Sequence, residues 1–212
     1  MNPLLRTAIL LAVSGSLLTG PTAMAAPRDS AQYVRLEHPQ PVVATAKHEV
    51  IEFFWYDCYH SDVLELPLER WADRHRDDAT LRRVPAVWTG SPEEKVQLAH
   101  ARLYYTLERL GAVDRLQTKV FHAVRIDEAD LTTEEFATAW AAKAGLDATL
   151  FRAAYRSAEV DQAVREAPAL FKRYEVNELP TVVVQGQYRT SPTAAGGVEQ
   201  IPSVLDQLVA TS

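Results

Sequence analysis

The sequence predicts an α/β fold in which a strand–helix–strand unit and a terminal strand–strand–helix unit are separated by a block of helices. Three observations carry this reading. Val50 to Trp55 is a run of apolar, β-branched and aromatic residues interrupted by one acid, Glu52, and such a run reads as a buried strand. From Ser91 to Tyr174 the apolar residues recur instead at helical spacing. After Asn177 the period changes again, and Leu179 to Arg189 reads as strand, tight turn at Gln185-Gly186, strand. A chain of 212 residues, 47% of them apolar, is long enough for one domain with a sizeable core and an insertion.

Taken in order, the first segment is a targeting signal. Arg6 is its positive flank, Ala8–Leu18 its apolar region, and Ala23-Met24-Ala25 an A-x-A cleavage site, so 1–26 reads as a signal peptide. It is too short for a membrane anchor, which needs about 20 continuous apolar residues. Pro27–Ala46 is a polar lead-in that contains a short strand, Tyr33–Glu37. His48–Trp55 is the central strand. The helix that follows, Tyr59–Arg76, sets Leu64, Leu68, Trp71 and His75 on one face and should kink at Pro67. Thr80–Trp88 is the next strand, with Leu81, Val84, Ala86 and Trp88 as core candidates. Strand, helix and strand in this order favour a parallel pair.

In the helical block, Ser91-Pro92-Glu93-Glu94 reads as a capping box with proline at the first helical position. That helix aligns Val96, Ala99, Leu103, Leu107 and Leu110, and Gly111 is placed to stop it. A second helix covers Asp114–Ala123. Thr132-Thr133-Glu134-Glu135 is another capping box, opening a helix that ends at Gly145. Leu146-Asp147 starts the next, and Ala158–Tyr174 is a long one with Pro168 placed to break or bend it. A final amphipathic helix runs from about Val198 or Pro202 to Ala210, with Ile201, Leu205 and Leu208 inward.

The chemistry centres on Cys58, the one cysteine of the chain, where the buried strand ends and a helix begins. A helix N-terminus presents free N–H groups and the positive end of the dipole, which favour an anion; for a cysteine that anion is the nucleophilic thiolate. A lone cysteine in an exported chain forms no internal disulfide, which points to a reactive thiol or an intermolecular bond. The net charge of −6 comes without a basic stripe, so nucleic acid is not an expected partner. His38, His48, His75, His100 and His122 show no ligand spacing with cysteine or one another, so no metal and no cofactor is implied. Ser157 and Asp161 belong to a helix start, and neither a nucleophile elbow nor a phosphate loop occurs.

The strand Val50-Ile51-Glu52-Phe53-Phe54, the Cys58-Tyr59-His60-Ser61 motif with its helix, the helical insertion, and Leu179-Pro180-Thr181-Val182-Val183-Val184 after a long helix together resemble the DsbA family of exported thiol–disulfide oxidoreductases. The resemblance covers almost all of the mature chain. It implies a thioredoxin-like fold at 27–90 and 175–212, interrupted by a helical insertion at 91–174, and a periplasmic location. By the same resemblance Cys58 is the nucleophile and His60 helps stabilise its thiolate. Pro180 follows a cis peptide bond in a loop facing the site, where the Leu179 backbone and Tyr59 would meet a substrate peptide. Glu52 is the acid beneath the cysteine, a candidate proton relay that reads equally well as a structural polar residue.

The departures change the chemistry. The family motif is Cys-x-x-Cys, and here Ser61 stands at its second cysteine position, so no internal disulfide can be stored or donated. Asp57, just before the nucleophile, opposes the thiolate, while the Ser61 hydroxyl could donate to it. A monothiol can still attack a substrate disulfide, after which release comes from a second thiol on that substrate or from a small thiol. The expected function is therefore monothiol exchange on exported proteins, isomerase- or reductase-like, with a membrane redox partner as a further possibility. The alternative is a redox-inactive peptide-binding or chaperone module that keeps the groove at Leu179 and Pro180.

Overall fold

The structure is a computed structural model that describes residues 32–42 and 47–211. The expected signal peptide, and residues 27–31 and 43–46 of the lead-in, lie outside the described residues. Five strands form one sheet in the order β1-β5-β4-β2-β3. The central strand β2, His48–Phe54, buries every residue after its first, which is what an uninterrupted apolar run covered on both faces produces. It pairs in parallel with β3, Ala79–Pro85, across the crossover helix α1, Tyr59–Arg74. On its other side it pairs antiparallel with β4, Thr181–Val184. β5, Tyr188–Thr190, and the two-residue β1, Val34–Arg35, complete the sheet in antiparallel fashion.

Strand alternation sorts β2 by face. Ile51 and Phe53 join Val84, Val183, Phe171 and Tyr174 in one cluster. On the opposite face Val50 packs with Leu64, Leu68 and Trp71 of α1 and with Leu205 and Leu208 of the last helix, α8 (Ile201–Thr211). Phe54, on that same face, joins a third cluster built by the helical block. Glu52 therefore sits between two apolar clusters, wholly buried.

The helical block comprises α2 (Glu94–Arg109), α3 (Val113–Arg125), α4 (Glu134–Lys143), α5 (Ala148–Tyr155) and α6 (Ala158–Arg173). Asp147 and Ser157 cap α5 and α6 through their side chains. The expected capping box at Ser91 does not form. Residues 91–93 make turns, α2 begins at Glu94, and the Glu94 carboxylate instead accepts from the Gly90 N–H at 2.8 Å. In the second box the cap is Thr133 rather than Thr132, because the Thr132 hydroxyl is taken by Asp130 at 2.6 Å. Pro168 does not break α6, and α1 continues past Pro67; a proline removes one backbone donor, and packing on buried faces outweighs that loss. His75 is at the end of α1 rather than in its core, stacked on Trp71 and bonded to Asp206 at 3.0 Å. Leu81 and Trp88 are half-buried, short of the core positions expected of them.

The Gln185-Gly186 turn is formed with φ of 52° and 60° at its two residues, the combination a tight two-residue hairpin requires. A Cβ on Gly186 would lie 2.3 Å from the Gln40 carbonyl oxygen, so glycine is demanded twice over, by conformation and by close approach. A four-residue helix, α7 (Pro192–Ala195), follows β5 and was not expected from the sequence.

Candidate active site

Cys58 is the N-cap of α1. Its N–H donates to the Trp55 carbonyl at 2.9 Å, and no side chain caps the helix. The first turn of α1 therefore points its N–H groups and the dipole at the half-buried thiol. Against Cys58 lies the loop before β4, in which the Leu179–Pro180 peptide bond is cis. The thiol donates to the Leu179 carbonyl at 3.7 Å. Neighbours fix this loop: the Thr181 hydroxyl donates to the Glu178 carbonyl at 2.8 Å, and Ser191 and Thr193 both donate to the Glu178 carboxylate. Pro180 is buried and Leu179 half-buried, so of the cis pair it is Leu179 that offers surface.

The other motif residues part company. Tyr59 is 60% exposed, and the exposed His60 packs edge-on against its ring at 5.4 Å. Ser61 turns inward, wholly buried, and its hydroxyl accepts from the Trp55 N–H at 3.4 Å. It ties helix to strand end as an acceptor, which leaves the hydroxyl proton to donate elsewhere. Tyr56 is buried in the helical cluster and donates to Gln117 at 2.7 Å. Trp55 donates through Nε1 to Nδ1 of buried His100 at 3.0 Å. Burial lowers His100 to about 4, keeping it neutral, and its accepting Nδ1 leaves the proton on Nε2.

Two arginines near the site, Arg83 and Arg125, were not found from the sequence. Beneath the site, Glu52 faces Arg83 on β3 through the strand register, with Nε 3.3 Å from Oε2. Arg83 also donates to Glu65 of α1 at 2.6 Å. All three side chains are buried. Burial raises the Glu52 carboxyl to about 7; Arg83 opposes that rise and Glu69 adds to it. Burial and the Glu52 charge raise Glu65 as well. Two buried carboxyls share one guanidinium, and burial favours the neutral form of each while Arg83 favours the charged one. A polar cleft of about 510 Å³, lined by Glu69, Asp73, Arg76, Asp114 and Arg83, leads to this floor. The second missed group is Arg125, at the C-terminal end of α3, which reaches Asp57 beside the thiol. Sequence signals were weak for both: Arg82 and Arg83 are adjacent and only register separates them, while Arg125 is remote in the chain.

Comparison with known proteins gives the family. A family model described as the DSBA-like thioredoxin domain matches residues 62–209. The chain belongs to that family. A thiol:disulfide interchange protein DsbA of Burkholderia cepacia is 33% identical over 99% of this chain and 96% of its own. The DsbA of Azotobacter vinelandii is 35% identical over 84% and 81%. The crystal structure of Pseudomonas aeruginosa DsbA superposes with a TM-score of 0.78 at 31% identity, covering 84% of this chain and 91% of that one. The fold is thus the thioredoxin-like one with a helical insertion, and the chain is a DsbA-like member of a family of thiol:disulfide interchange oxidoreductases. Within that DsbA-like frame the matched family region begins after Cys58, so the motif itself rests on the geometry above. No described helix is long and apolar enough to cross a membrane.

Proposed function

We propose that this DsbA-like protein is an exported monothiol exchange protein acting on thiols and disulfides of other exported proteins. The observation that carries this is a half-buried Cys58 thiol at an uncapped helix N-terminus, facing the Leu179 carbonyl of the cis-proline loop. The Cys58 thiolate attacks one sulfur of a substrate disulfide. A Cys58–substrate disulfide forms, the substrate S–S bond breaks, and the other sulfur leaves as a thiolate that takes up a proton. Ser61 cannot resolve this intermediate. A second thiol of the substrate, or a small thiol, attacks the mixed disulfide and regenerates the Cys58 thiolate, giving isomerisation or reduction respectively.

The roles of the remaining residues follow their placement. His60 lends positive character beside the thiol when protonated. Leu179 offers backbone to an extended peptide in the manner of strand addition. Tyr59, Val63 and Leu66, exposed at successive turns on one face of α1, continue an apolar surface from the thiol. Glu52, in the buried pair that shares Arg83, serves as proton relay to the departing sulfur. The thioredoxin-like part spans 27–90 and 175–212 and the insertion 91–174. Export through the N-terminal signal delivers the protein to the periplasm, where a membrane redox partner or small thiols set its state.

The test is trapping. Mature protein incubated with a disulfide-containing unfolded protein should yield a Cys58-linked adduct and reshuffle its disulfides, and Cys58→Ala should abolish both. Reshuffling retained by Cys58→Ala overturns the proposal. The exposed apolar face of α1 favours a second reading, a peptide-binding module; there, Cys58→Ala would leave peptide affinity and suppression of aggregation intact while the wild type forms no adduct.

A further inference from the structure

We infer that Arg125 is the positioning residue of the Cys58 thiol, a clamp that the helical block places on both sides of the nucleophile and that offsets the two carboxylates flanking it. The inference deepens the exchange reading and rests on it. Four contacts made by one side chain support it. Arg125 Nη1 donates to the Asp57 carbonyl at 3.0 Å and lies 3.6 Å from the Asp57 carboxylate. Its Nε lies 3.5 Å from the Asp62 carboxylate, and its guanidinium sits 5.5 Å over the Tyr59 ring. Asp57 precedes Cys58, Tyr59 follows it, and Asp62 is in the first turn of α1. The side chain is only 21% exposed.

Two consequences follow. The bond to the Asp57 carbonyl fixes the loop that carries the chain from β2 into α1, and so fixes where the thiol meets the helix N-terminus. The guanidinium also compensates Asp57, the residue that otherwise works against a thiolate at this position. A planar fork can serve a carbonyl, two carboxylates and a ring together, whereas a lysine ammonium supplies the charge without that reach. The charged groups on the elements around Cys58 are Asp57, His60 and Asp62 beside it, Arg125 from α3, buried Glu52 from β2 with Glu65 of α1 and Arg83 of β3, and Glu178 before the cis-proline, whose carboxylate is already taken by Ser191 and Thr193.

The experiment measures the rate of Cys58 alkylation by iodoacetamide against pH on the mature chain, with Cys58→Ala as blank and circular dichroism as a check of folding. Arg125→Met should label about threefold to tenfold more slowly at pH 7, with its profile displaced to higher pH. Arg125→Lys, which keeps the charge without the fork, should recover only part of the profile, and Arg125→Met combined with Asp57→Asn should return toward the wild-type rate. Asp57→Asn alone should label faster than wild type, which keeps the test decisive if Arg125→Met does not fold. An Arg125→Met profile superposable on wild type overturns the inference. So does a double variant no faster than Arg125→Met, which would make the arginine merely structural, and so does an Asp57→Asn rate equal to wild type. A folded wild type whose thiol is not labelled overturns both this and the exchange reading; a labelled thiol that forms no mixed disulfide overturns only the latter.

Discussion

The mouth and the floor of the site are built from the same charges: two carboxylates and one arginine. At the mouth Asp57 and Asp62 share Arg125; on the floor Glu52 and Glu65 share Arg83. Water separates their chemistry. The mouth carboxylates are 51% and 29% exposed, where ion pairs are screened and cost little to assemble. The floor carboxylates are buried, so desolvation dominates and pushes the Glu52 carboxyl up to about 7 against the pull of Arg83. Thus the same arrangement of charges is solvated beside the thiol and desolvated in the core.

The comparison breaks most visibly when each arginine is removed. Arg83→Met leaves two buried carboxyls without a partner and should cost about 3–5 kcal/mol in urea unfolding at pH 7. Arg125→Met removes pairs at the surface and should cost no more than about 1 kcal/mol. Equal losses at the two positions would show that burial is not what separates the regions.

The next effect is one of pH. Glu52 ionises at about 7 in the folded chain against its ordinary value of 4.5. Between those values the folded state binds the extra proton, so this group makes stability fall as pH rises from 4.5 to 7, by about 3 kcal/mol. His100 does the reverse. It protonates at about 4 when folded against 6.5, so stability is lost as pH falls from 6.5 to 4, by a similar amount. The two slopes oppose one another in the wild type. Glu52→Gln combined with Glu65→Gln should expose the His100 slope, with stability rising from pH 4.5 to 6.5; His100→Gln should expose the slope of the buried carboxyls, with stability falling. Parallel curves for the two variants would refute a protonated floor.

What could be read in advance follows the same division. Cys58 at a strand–helix junction, the Gln185-Gly186 turn and the inward face of α8 were legible because each depends on residues close in sequence. The thiol-facing Leu179–Pro180 loop was reached only through family resemblance. Arg83, Glu65 and Arg125 were illegible because their partners are set by strand register and helix docking. Arg82, one residue from Arg83, reaches Glu49 at 3.7 Å instead. Ser91 shows the converse failure: a sequence that satisfies the capping pattern locally loses to a turn that starts α2 three residues later.

Ser61 joins the two regions, and the smallest predicted effect falls there. It lies one helical turn from the half-buried thiol yet is wholly buried, bonded to the end of the strand that carries Glu52. Ser61→Cys restores the family's second cysteine at a site with little spare room. A sulfur is larger than an oxygen and a poorer acceptor for the Trp55 N–H, so the reduced variant should be less stable by about 1 kcal/mol. On oxidation both thiols should disappear from a thiol titration as a disulfide closes between Cys58 and the introduced cysteine. Substrate adducts that persist in the wild type should then resolve internally. If the variant keeps two free thiols under oxidant, the serine has become a fixed strut between floor and mouth, and the monothiol state is built into the packing as well as the sequence.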